Sequence, residues 1–333
     1  MLKKVAFLGT GGTIAGRATN ASDNVGYQAA QVGVAQLLDA IGPLRAALGV
    51  WESVFEQVAQ VDSKDMGWVQ WLALAQRVRH HLSQPDIQAV VITHGTDTLE
   101  ETAYFLSRVV PLDLLLSKPV VLTCAMRPAS SLVPDGPQNV LDSVAVARSA
   151  QACGVLVVCA GAVHCARDVQ KVHTYRLNAF DSGDAGPMGY VEEGAVRWLH
   201  TFAPQGISEA RIDLQRWATV DWPRVEIVIS YVGASGSSVR ALCAAPNDGA
   251  PPVRGIVVAG TGNGTIHQDL ERGLREVQAL GVRIVRATRC PQGVVVSGTS
   301  VDGFKHSQGL SAVKARIALM LELMAESEQT AEQ

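Results

Sequence analysis

The chain has 333 residues and a mass of 35.3 kDa, and its 28 Lys and Arg residues against 31 Asp and Glu residues give a net charge of −3. This length suggests about two domains with their own cores, and a composition that is 47% hydrophobic excludes a disordered or collagen-like chain. The balanced charge argues against nucleic acid as a main partner. The six cysteines form no CxxC pair, so neither a metal site nor a disulfide framework is predicted.

Membrane insertion and export are also disfavoured by the apolar pattern. No stretch reaches the about 20 mostly apolar residues that a membrane span needs. Lys3 and Lys4 precede an apolar run, as in a signal peptide, but Gly9 interrupts that run at once. We therefore expect a buried first strand, no membrane contact and a cytoplasmic location.

Short apolar runs alternate with helical patterns in the N-terminal part of the chain, which is typical of βα units and a mostly parallel sheet. The helices are indicated by apolar residues that recur every three or four positions. The predicted strands are 5–8, 54–61, 89–93, 119–123 and 155–159, and the predicted helices are 68–82, 98–109 and 139–152.

The pattern lapses over residues 201–224 and then resumes as a second, smaller series. Its predicted strands are 225–230, 256–258 and 282–285, and its predicted helices are 268–280 and 311–323. The fold class predicted is therefore α/β. A larger N-terminal catalytic α/β domain (1–205), with a mostly parallel sheet flanked by helices, is followed by a linker (206–224) and a smaller C-terminal α/β domain (225–333). The Glu- and Gln-rich tail after Ala325 is expected to fray.

Hydroxyl, small and charged residues follow four of the predicted strands, in segments 9–16, 61–66, 93–98 and 123–128. Turn and capping chemistry explains any one of these segments. Ligands of open parallel sheets, however, bind outside the carboxyl ends of the strands. Four such segments at one edge therefore favour a pocket.

The glycine-rich opening does not fit a nucleotide site. Gly9 and Gly11 begin a dinucleotide fingerprint, but Ile14 occupies the third glycine position, and no Walker sequence occurs. Backbone N–H groups of such a turn suit an oxyanion instead, and Thr13 is presented on it. The residues thus favour acyl transfer that uses no metal and no cofactor.

A threonine nucleophile must be activated by a neighbouring base. Tyr27, Lys171 and the carboxylates of the first domain are candidates for that base. A second hydroxyl, Thr96, stands beside Asp97 in the segment after the third strand. From the residues alone, the choice among these bases stays open.

Several motifs carry a family resemblance when they are taken in chain order. They include GGTIAG at 11–16, HGTDT at 94–98, ETAYF at 101–105, AMRP at 125–128, DGPQN at 135–139 and GNG at 262–264. With this set, the chain resembles the bacterial-type L-asparaginases, the asparaginase/glutaminase amidohydrolase family. The resemblance covers essentially the whole chain.

The resemblance implies hydrolysis of L-asparagine to L-aspartate and ammonia through a covalent acyl-enzyme. Thr13 falls on the position of the family nucleophile, and Tyr27 on that of the tyrosine that helps to activate it. Lys171 would polarise Thr96, and Asp97 would bind the substrate α-ammonium. The ordinary alternatives are a turn residue at Thr13, a surface tyrosine at Tyr27 and a solvated lysine at Lys171.

The resemblance also implies the substrate contacts and the assembly. Ser63 would hold the α-carboxylate, Ala125 would offer a backbone contact near the leaving amide, and Asp62 and Asn263 would also bind substrate. His94 is interpreted as a hydrogen-bonded structural residue. The family uses no metal or cofactor, and it forms homotetramers of two intimate dimers with sites between the large domain of one subunit and the small domain of its partner.

Two departures from the family pattern bear on the substrate. Many members place a Glu of the small domain on the substrate amino group, but the stretch 289–304 holds none, and Thr265 stands where many have Asn. The alternatives are therefore a glutaminase-asparaginase or related amide hydrolase, a non-hydrolytic amino-acid-binding module, and a nucleotide-dependent enzyme. Failure of NAD or ATP to raise the melting temperature would exclude the last of these, because a ligand at 100 times its Kd adds about 2.7 kcal/mol of stability.

Overall fold

The computed structural model describes residues 2–202, 213–244, 249–296 and 303–331. The chain divides into two compact units, Met1–Glu209 and Ala210–Gln333. The first holds a large, mostly parallel sheet flanked by helices, and the second holds a smaller parallel sheet, so the α/β prediction is confirmed. Of the predicted linker, residues 206–212 lie outside the described residues.

The first unit is built on an eight-stranded sheet with the order β10-β9-β6-β5-β4-β3-β1-β2. The five strands from β5 to β2 run parallel, and β6, β9 and β10 add an antiparallel edge. A separate ribbon pairs β7 with β8. The strands are β1 (Lys4–Gly11), β2 (Glu52–Val61), β3 (Ile87–Thr93), β4 (Val120–Thr123), β5 (Val155–Cys159), β6 (Ala162–Cys165), β7 (Gln170–Lys171), β8 (Phe180–Asp181), β9 (Gly189–Glu192) and β10 (Ala195–Trp198).

The order of these strands fixes where ligands bind. After β1 the chain adds β2 on one side and then crosses to add β3 on the other, so β1 and β3 flank a topological switch point. In open parallel sheets the crevice at this point, beyond the carboxyl ends of the strands, is the usual binding place. The loops after β1 and β3 are those that carry Thr13 and Thr96.

Helices cover both faces of this sheet. The core on one face joins α1, α2 and α6 to β1, β3 and β5 through aliphatic side chains. Pro137 in the first turn starts α6 at Gly136, three residues earlier than its apolar period alone predicts. The helices of the first unit are α1 (Val34–Asp39), α2 (Leu44–Leu48), α3 (Trp68–Leu82), α4 (Leu99–Val109), α5 (Leu112–Ser117) and α6 (Gly136–Arg148).

The second unit repeats the parallel arrangement with the strand order β11-β12-β13-β14. Its core contains Ile256 and Val258 of β12, packed with Leu270 and Leu274 of α8. Its elements are β11 (Arg224–Ile229), β12 (Val253–Gly260), β13 (Arg283–Thr288), β14 (Lys305–His306), α7 (Ser237–Cys243), α8 (Gln268–Ala279) and α9 (Ala312–Ala331).

The expected fraying after Ala325 is wrong, because α9 continues to Ala331. Glu328, beyond that point, accepts hydrogen bonds from the indole N–H of Trp217 at 2.6 Å and from the backbone N–H of Asp213 at 3.1 Å. These tertiary contacts hold the last turns in place, and no local sequence pattern reveals them. Among the described residues, no helix combines the length and hydrophobicity needed to cross a bilayer.

Candidate active site

Three loops meet at two glycines beyond the ends of β1, β2 and β3. Gly12 has a φ of 79°, in the left-handed region that glycine tolerates. A Cβ on Gly12 would lie 2.2 Å from the Cα of Gly95, and a Cβ on Gly95 would lie 2.5 Å from the Oγ of Ser63. Bare backbone at both positions therefore lets the loops come into contact.

Thr13 begins a 3-10 turn (Thr13–Ala15) just after this contact, and its side chain is 7% exposed. Its Oγ1 lies 2.5 Å from the hydroxyl oxygen of Tyr27. Burial raises the pKa of Tyr27, an effect that the hydrogen bond with Thr13 opposes and the charges of Asp62 and Asp97 reinforce. The phenol is therefore neutral at neutral pH, and it can both accept and donate a proton toward Thr13.

The loop that carries Tyr27 is closed at its base. Arg17 and Gln28 exchange two backbone hydrogen bonds of 2.9 Å as an antiparallel bridge. Inside the loop, Asp23 Oδ1 accepts from the backbone N–H groups of Val25 and Gly26. The pairing brings Tyr27 back over the turn from which Thr13 projects.

A second cluster joins Thr96, Asp97 and Lys171. Lys171 lies on β7, and its Nζ donates to Thr96 Oγ1 at 2.9 Å and to Asp97 Oδ1 at 2.6 Å. Thr96 is 5% exposed, whereas the Asp97 side chain is about half exposed. The ammonium group thus links a buried hydroxyl to a carboxylate that faces solvent.

Ser63 connects the loop after β2 to this cluster. Its buried Oγ accepts the backbone N–H of Asp97 at 3.1 Å, and its carbonyl accepts the hydroxyl of Thr98 at 2.8 Å. Asp62 immediately precedes it and lies close enough to affect the pKa of Tyr27 electrostatically. The structure therefore places Asp62 near the Thr13–Tyr27 pair and Ser63 against the cluster of Thr96, Asp97 and Lys171.

Ala125 is buried in the loop after β4. Two side chains at the start of α6 hold this loop in place. Asp135 accepts the backbone N–H groups of Met126 and Arg127, both at 2.9 Å. Asn139 Nδ2 donates to the carbonyl of Cys124 at 3.0 Å. Sequence reasoning gave Asp135 and Asn139 no role, although their place at the start of a helix was a signal for one.

Asn263 lies in the second unit, where its carboxamide is engaged by one residue. Its Nδ2 donates to the carbonyl of Val296 at 2.9 Å, and its Oδ1 accepts the Val296 N–H at 2.7 Å. Thr265 pairs with Thr261 through backbone and hydroxyl contacts. Of the stretch 289–304 that lacks a Glu, residues 297–302 lie outside the described residues.

His94 is buried and hydrogen-bonded at both ring nitrogens, as the sequence interpretation expects. Nδ1 lies 2.7 Å from the Gly95 carbonyl oxygen, and Nε2 lies 3.0 Å from the hydroxyl of Thr102. Burial lowers the pKa of His94 from 6.5 to about 4. The imidazole is therefore neutral at neutral pH.

A separate cleft of about 980 Å³ opens along α6, lined by side chains that include Gln138, Asp142 and Arg148. It shares Asp135 and Asn139 with the support of the Ala125 loop, but neither Thr13 nor Thr96 lines it. Within the described part of the chain, no group of three or more His, Cys, Asp or Glu residues is placed to hold a metal ion.

Both units of the chain match known protein families. Residues 4–203 match the model of the N-terminal asparaginase domain, and residues 224–333 match that of the glutaminase/asparaginase C-terminal domain. L-asparaginase 2 of Escherichia coli (strain K12) is 37% identical over 328 residues, which are 97% of this chain and 89% of that protein. Glutaminase-asparaginase of Pseudomonas fluorescens biotype A is 36% identical over 329 residues, with 97% and 86% covered.

A solved structure shows the same architecture. The crystal structure of the probable cytoplasmic L-asparaginase from Campylobacter jejuni superposes with a TM-score of 0.86 at 33% sequence identity, and the match covers 98% of each chain. The two domain models, the relatives and the solved structure all point to the same family. The two hydroxyl clusters lie at the switch point of this shared fold. The chain belongs to the asparaginase/glutaminase family of amidohydrolases.

Proposed function

We propose that this protein hydrolyses the side-chain carboxamide of L-asparagine to L-aspartate and ammonia through a threonine acyl-enzyme. The observation that carries the proposal is the 2.5 Å contact between Thr13 Oγ1 and the Tyr27 hydroxyl. The names of the relatives, L-asparaginase 2 and glutaminase-asparaginase, support the choice of substrate class.

In the first step, Thr13 Oγ attacks the carboxamide carbon, and the C–N bond breaks to leave an ester. The Thr13 proton passes to Tyr27, whose own proton moves toward the departing nitrogen, so ammonia leaves neutral. The raised pKa of Tyr27 favours this relay over a preformed phenolate, because burial disfavours the charged form.

In the second step, water attacks the ester, the bond to Thr13 Oγ breaks, and a proton returns to that oxygen. We assign Lys171 the role of polarising Thr96, which it contacts at 2.9 Å. The carboxylic acid formed by the attack of water loses its proton to solvent and leaves as the carboxylate, so the step consumes one water molecule and restores the Thr13 hydroxyl.

The rim of the site supplies groups for the two ends of an amino acid. Asp97, half exposed and paired to Lys171 on one side, is proposed to bind the α-ammonium. Ser63 is proposed to bind the α-carboxylate, with Asp62 beside it and the backbone of Ala125 near the leaving amide. Asn263 is retained as a proposed substrate contact.

L-glutamine is the second candidate substrate. The stretch 289–304 lacks a Glu, and one of the relatives is named for both activities. A looser grip on the amino group would permit a side chain that is longer by one methylene. A binding module that forms the ester without sustained ammonia release is the non-hydrolytic alternative.

We also propose a homotetramer, built as two intimate dimers, in the cytoplasm. Ile229, Tyr231 and Val232 expose 52%, 55% and 101% of their surface on the second unit, an apolar patch of the kind that assembly covers. All six cysteines are free thiols, which suits a reducing compartment.

The proposal is tested by ammonia release from L-asparagine, L-glutamine and D-asparagine in parallel, with Thr13→Ala and Thr96→Ala as variants. We expect L-asparagine to dominate, both variants to lose activity by orders of magnitude, and a chelator to have no effect. Near-normal turnover by Thr13→Ala would contradict the assigned nucleophile. Release mainly from another amide would keep the mechanism and change the substrate.

A further inference from the structure

A directed chain of hydrogen bonds runs from the interior to the loop between the two reactive threonines. Trp71 Nε1 lies 2.9 Å from Thr102 Oγ1, which lies 3.0 Å from His94 Nε2, and His94 Nδ1 lies 2.7 Å from the Gly95 carbonyl oxygen. Trp71, Thr102 and His94 are all buried. The chain joins α3 and α4 to the end of β3.

The direction of the protons in this chain follows from its two ends, because the Gly95 carbonyl can only accept and the indole N–H of Trp71 can only donate. At the carbonyl end, His94 Nδ1 therefore carries a hydrogen and donates it to the Gly95 oxygen. Nε2 of the neutral ring is then unprotonated, so it accepts the hydrogen of Thr102 Oγ1, while that oxygen accepts the indole N–H of Trp71. The other tautomer would set the Nδ1 lone pair against the lone pairs of the Gly95 oxygen, so only the tautomer with a hydrogen on Nδ1 satisfies all four groups.

The carbonyl that His94 holds belongs to the peptide joining Gly95 to Thr96. Because a peptide is planar and trans, fixing its oxygen fixes the opposite direction of the Thr96 N–H. Gly95 also touches Gly12, next to Thr13, and Ser63, with no room for even a methyl group. A rotation of this one peptide would therefore displace the supports of Thr13, Thr96 and Ser63 together.

We propose that His94, oriented by Thr102 and Trp71, is a positioning residue for the amidohydrolase reaction, because its Nδ1–H holds the Gly95–Thr96 peptide in the orientation that aligns both threonines. This inference rests on the proposed function. His94 takes no part in proton transfer itself, since both ring nitrogens are committed to internal partners.

The test removes the hydroxyl of Thr102 without changing its shape. We expect Thr102→Val to lower kcat by about tenfold to about a hundredfold, since small displacements of reacting groups have effects of this size. Thr102→Ser should restore most of the rate, and Trp71→Phe should give an intermediate loss. Ser149→Ala is the matched control, because it removes a hydroxyl that accepts the indole N–H of Trp198 at 3.0 Å, at the edge of the sheet.

The second readout is the tautomer of His94, observed through its ring ¹⁵N shifts in the full-length protein. Wild type and Thr102→Ser should show a protonated Nδ1, and Thr102→Val should show a changed Nε2 shift. Wild-type kcat in Thr102→Val, or an equal loss in Ser149→Ala, would overturn the proposal while the wild-type enzyme still releases ammonia. If wild type releases none, the proposed function fails instead, and a protonated Nε2 would still disprove the hydrogen-bond direction.

Discussion

At the scale of single residues, burial favours the neutral form of two side chains near the candidate nucleophile. Tyr27 is half buried, and burial is the largest influence on its raised pKa. His94 is completely buried, and the same cause lowers its pKa because the charged form of an imidazole is the protonated one. Both side chains are therefore neutral at neutral pH, so proton movement at the site depends on hydrogen-bond direction.

The pKa of His94 predicts how stability depends on pH. An unfolded histidine binds a proton at a pKa of 6.5, whereas the folded one does so only at about 4. Between these values the unfolded chain binds more protons, so the free energy of unfolding falls as the pH falls. The difference of about 2.5 units corresponds to a destabilisation of about 3 kcal/mol, which is absent above pH 6.5 and fully developed below pH 4.

This dependence is measured by chemical denaturation between pH 4 and pH 8, in wild type and in His94→Asn. The difference between the two slopes isolates the histidine from the carboxylates, which titrate in both. NMR titration of the imidazole gives the folded pKa directly. A His94 resonance that titrates near pH 6.5 would contradict the prediction.

Removal of the Tyr27 hydroxyl should separate catalysis from folding. Tyr27→Phe keeps the ring and its burial but leaves Thr13 without a proton acceptor, so we expect kcat to fall by about a hundredfold or more. The melting temperature should change little. Tyr190→Phe, at the antiparallel edge of the sheet, is the control, and an equal loss of activity there would rule out a specific role for Tyr27.

At the scale of elements, the candidate site depends on loops that approach more closely than side chains allow. Gly95 is the better position to test, because its φ lies outside the left-handed region and an alanine there changes only the steric contact. Gly95→Ala would place a methyl group 2.5 Å from Ser63 Oγ, so we expect kcat/KM to fall by about a hundredfold. Gly42→Ala, which meets no atom within 4 Å, should behave as wild type.

The last turns of α9 give a stability prediction for the second unit. Glu328→Ala leaves the buried indole N–H of Trp217 without its acceptor, which should cost about 1–3 kcal/mol of unfolding free energy. Glu328→Gln keeps an acceptor oxygen and should cost less. Equal denaturation midpoints for all three proteins would show that the end of α9 adds no stability.

The central strands and the long helices were predictable from sequence because each shows a complete hydrophobic period. Helix α3 was predicted with both of its ends, Trp68 and Leu82. Helices α1, α2 and α5 have only five or six residues, too few for a period to show. The antiparallel strands β6, β9 and β10 were missed because polar or charged residues, namely His164, Glu192 and Arg197, leave them without an apolar run, unlike the equally short β4.

The residues of the candidate site that follow the ends of strands could be predicted from sequence. The resemblance pointed to Thr13, Tyr27 and the Thr96 cluster, and the structure places these residues in two hydrogen-bonded groups. Among the supports behind them, Asp135 was signalled only by its place at the start of a helix, whereas Thr102 lies inside a helix pattern that gave no sign of its contact with His94. Only the fold reveals which backbone groups they hold.

At the scale of the whole molecule, each unit has its own sheet and its own core, and exposed apolar residues on the second unit suggest further assembly. We expect a solution mass near that of four 35.3 kDa chains by light scattering after size exclusion. Val232→Asp should lower that mass, because it places a charge in the proposed contact. Val69→Asp, at another highly exposed apolar position, on α3, should leave it unchanged, and a monomeric wild type would contradict the assembly.

The closed base of the loop that carries Tyr27 has a consequence for how such chains diverge. The Arg17–Gln28 bridge fixes the distance between the two ends, and the residues at the tip, Asn20 to Ser22, are exposed. Insertions and deletions persist where they disturb no backbone pairing. The tip carbonyl of Ala21 accepts the backbone N–H of Leu132 at 3.0 Å, so we expect the loop to tolerate changes in the composition of its tip better than changes in its length, with Tyr27 kept beside Thr13 by the paired base.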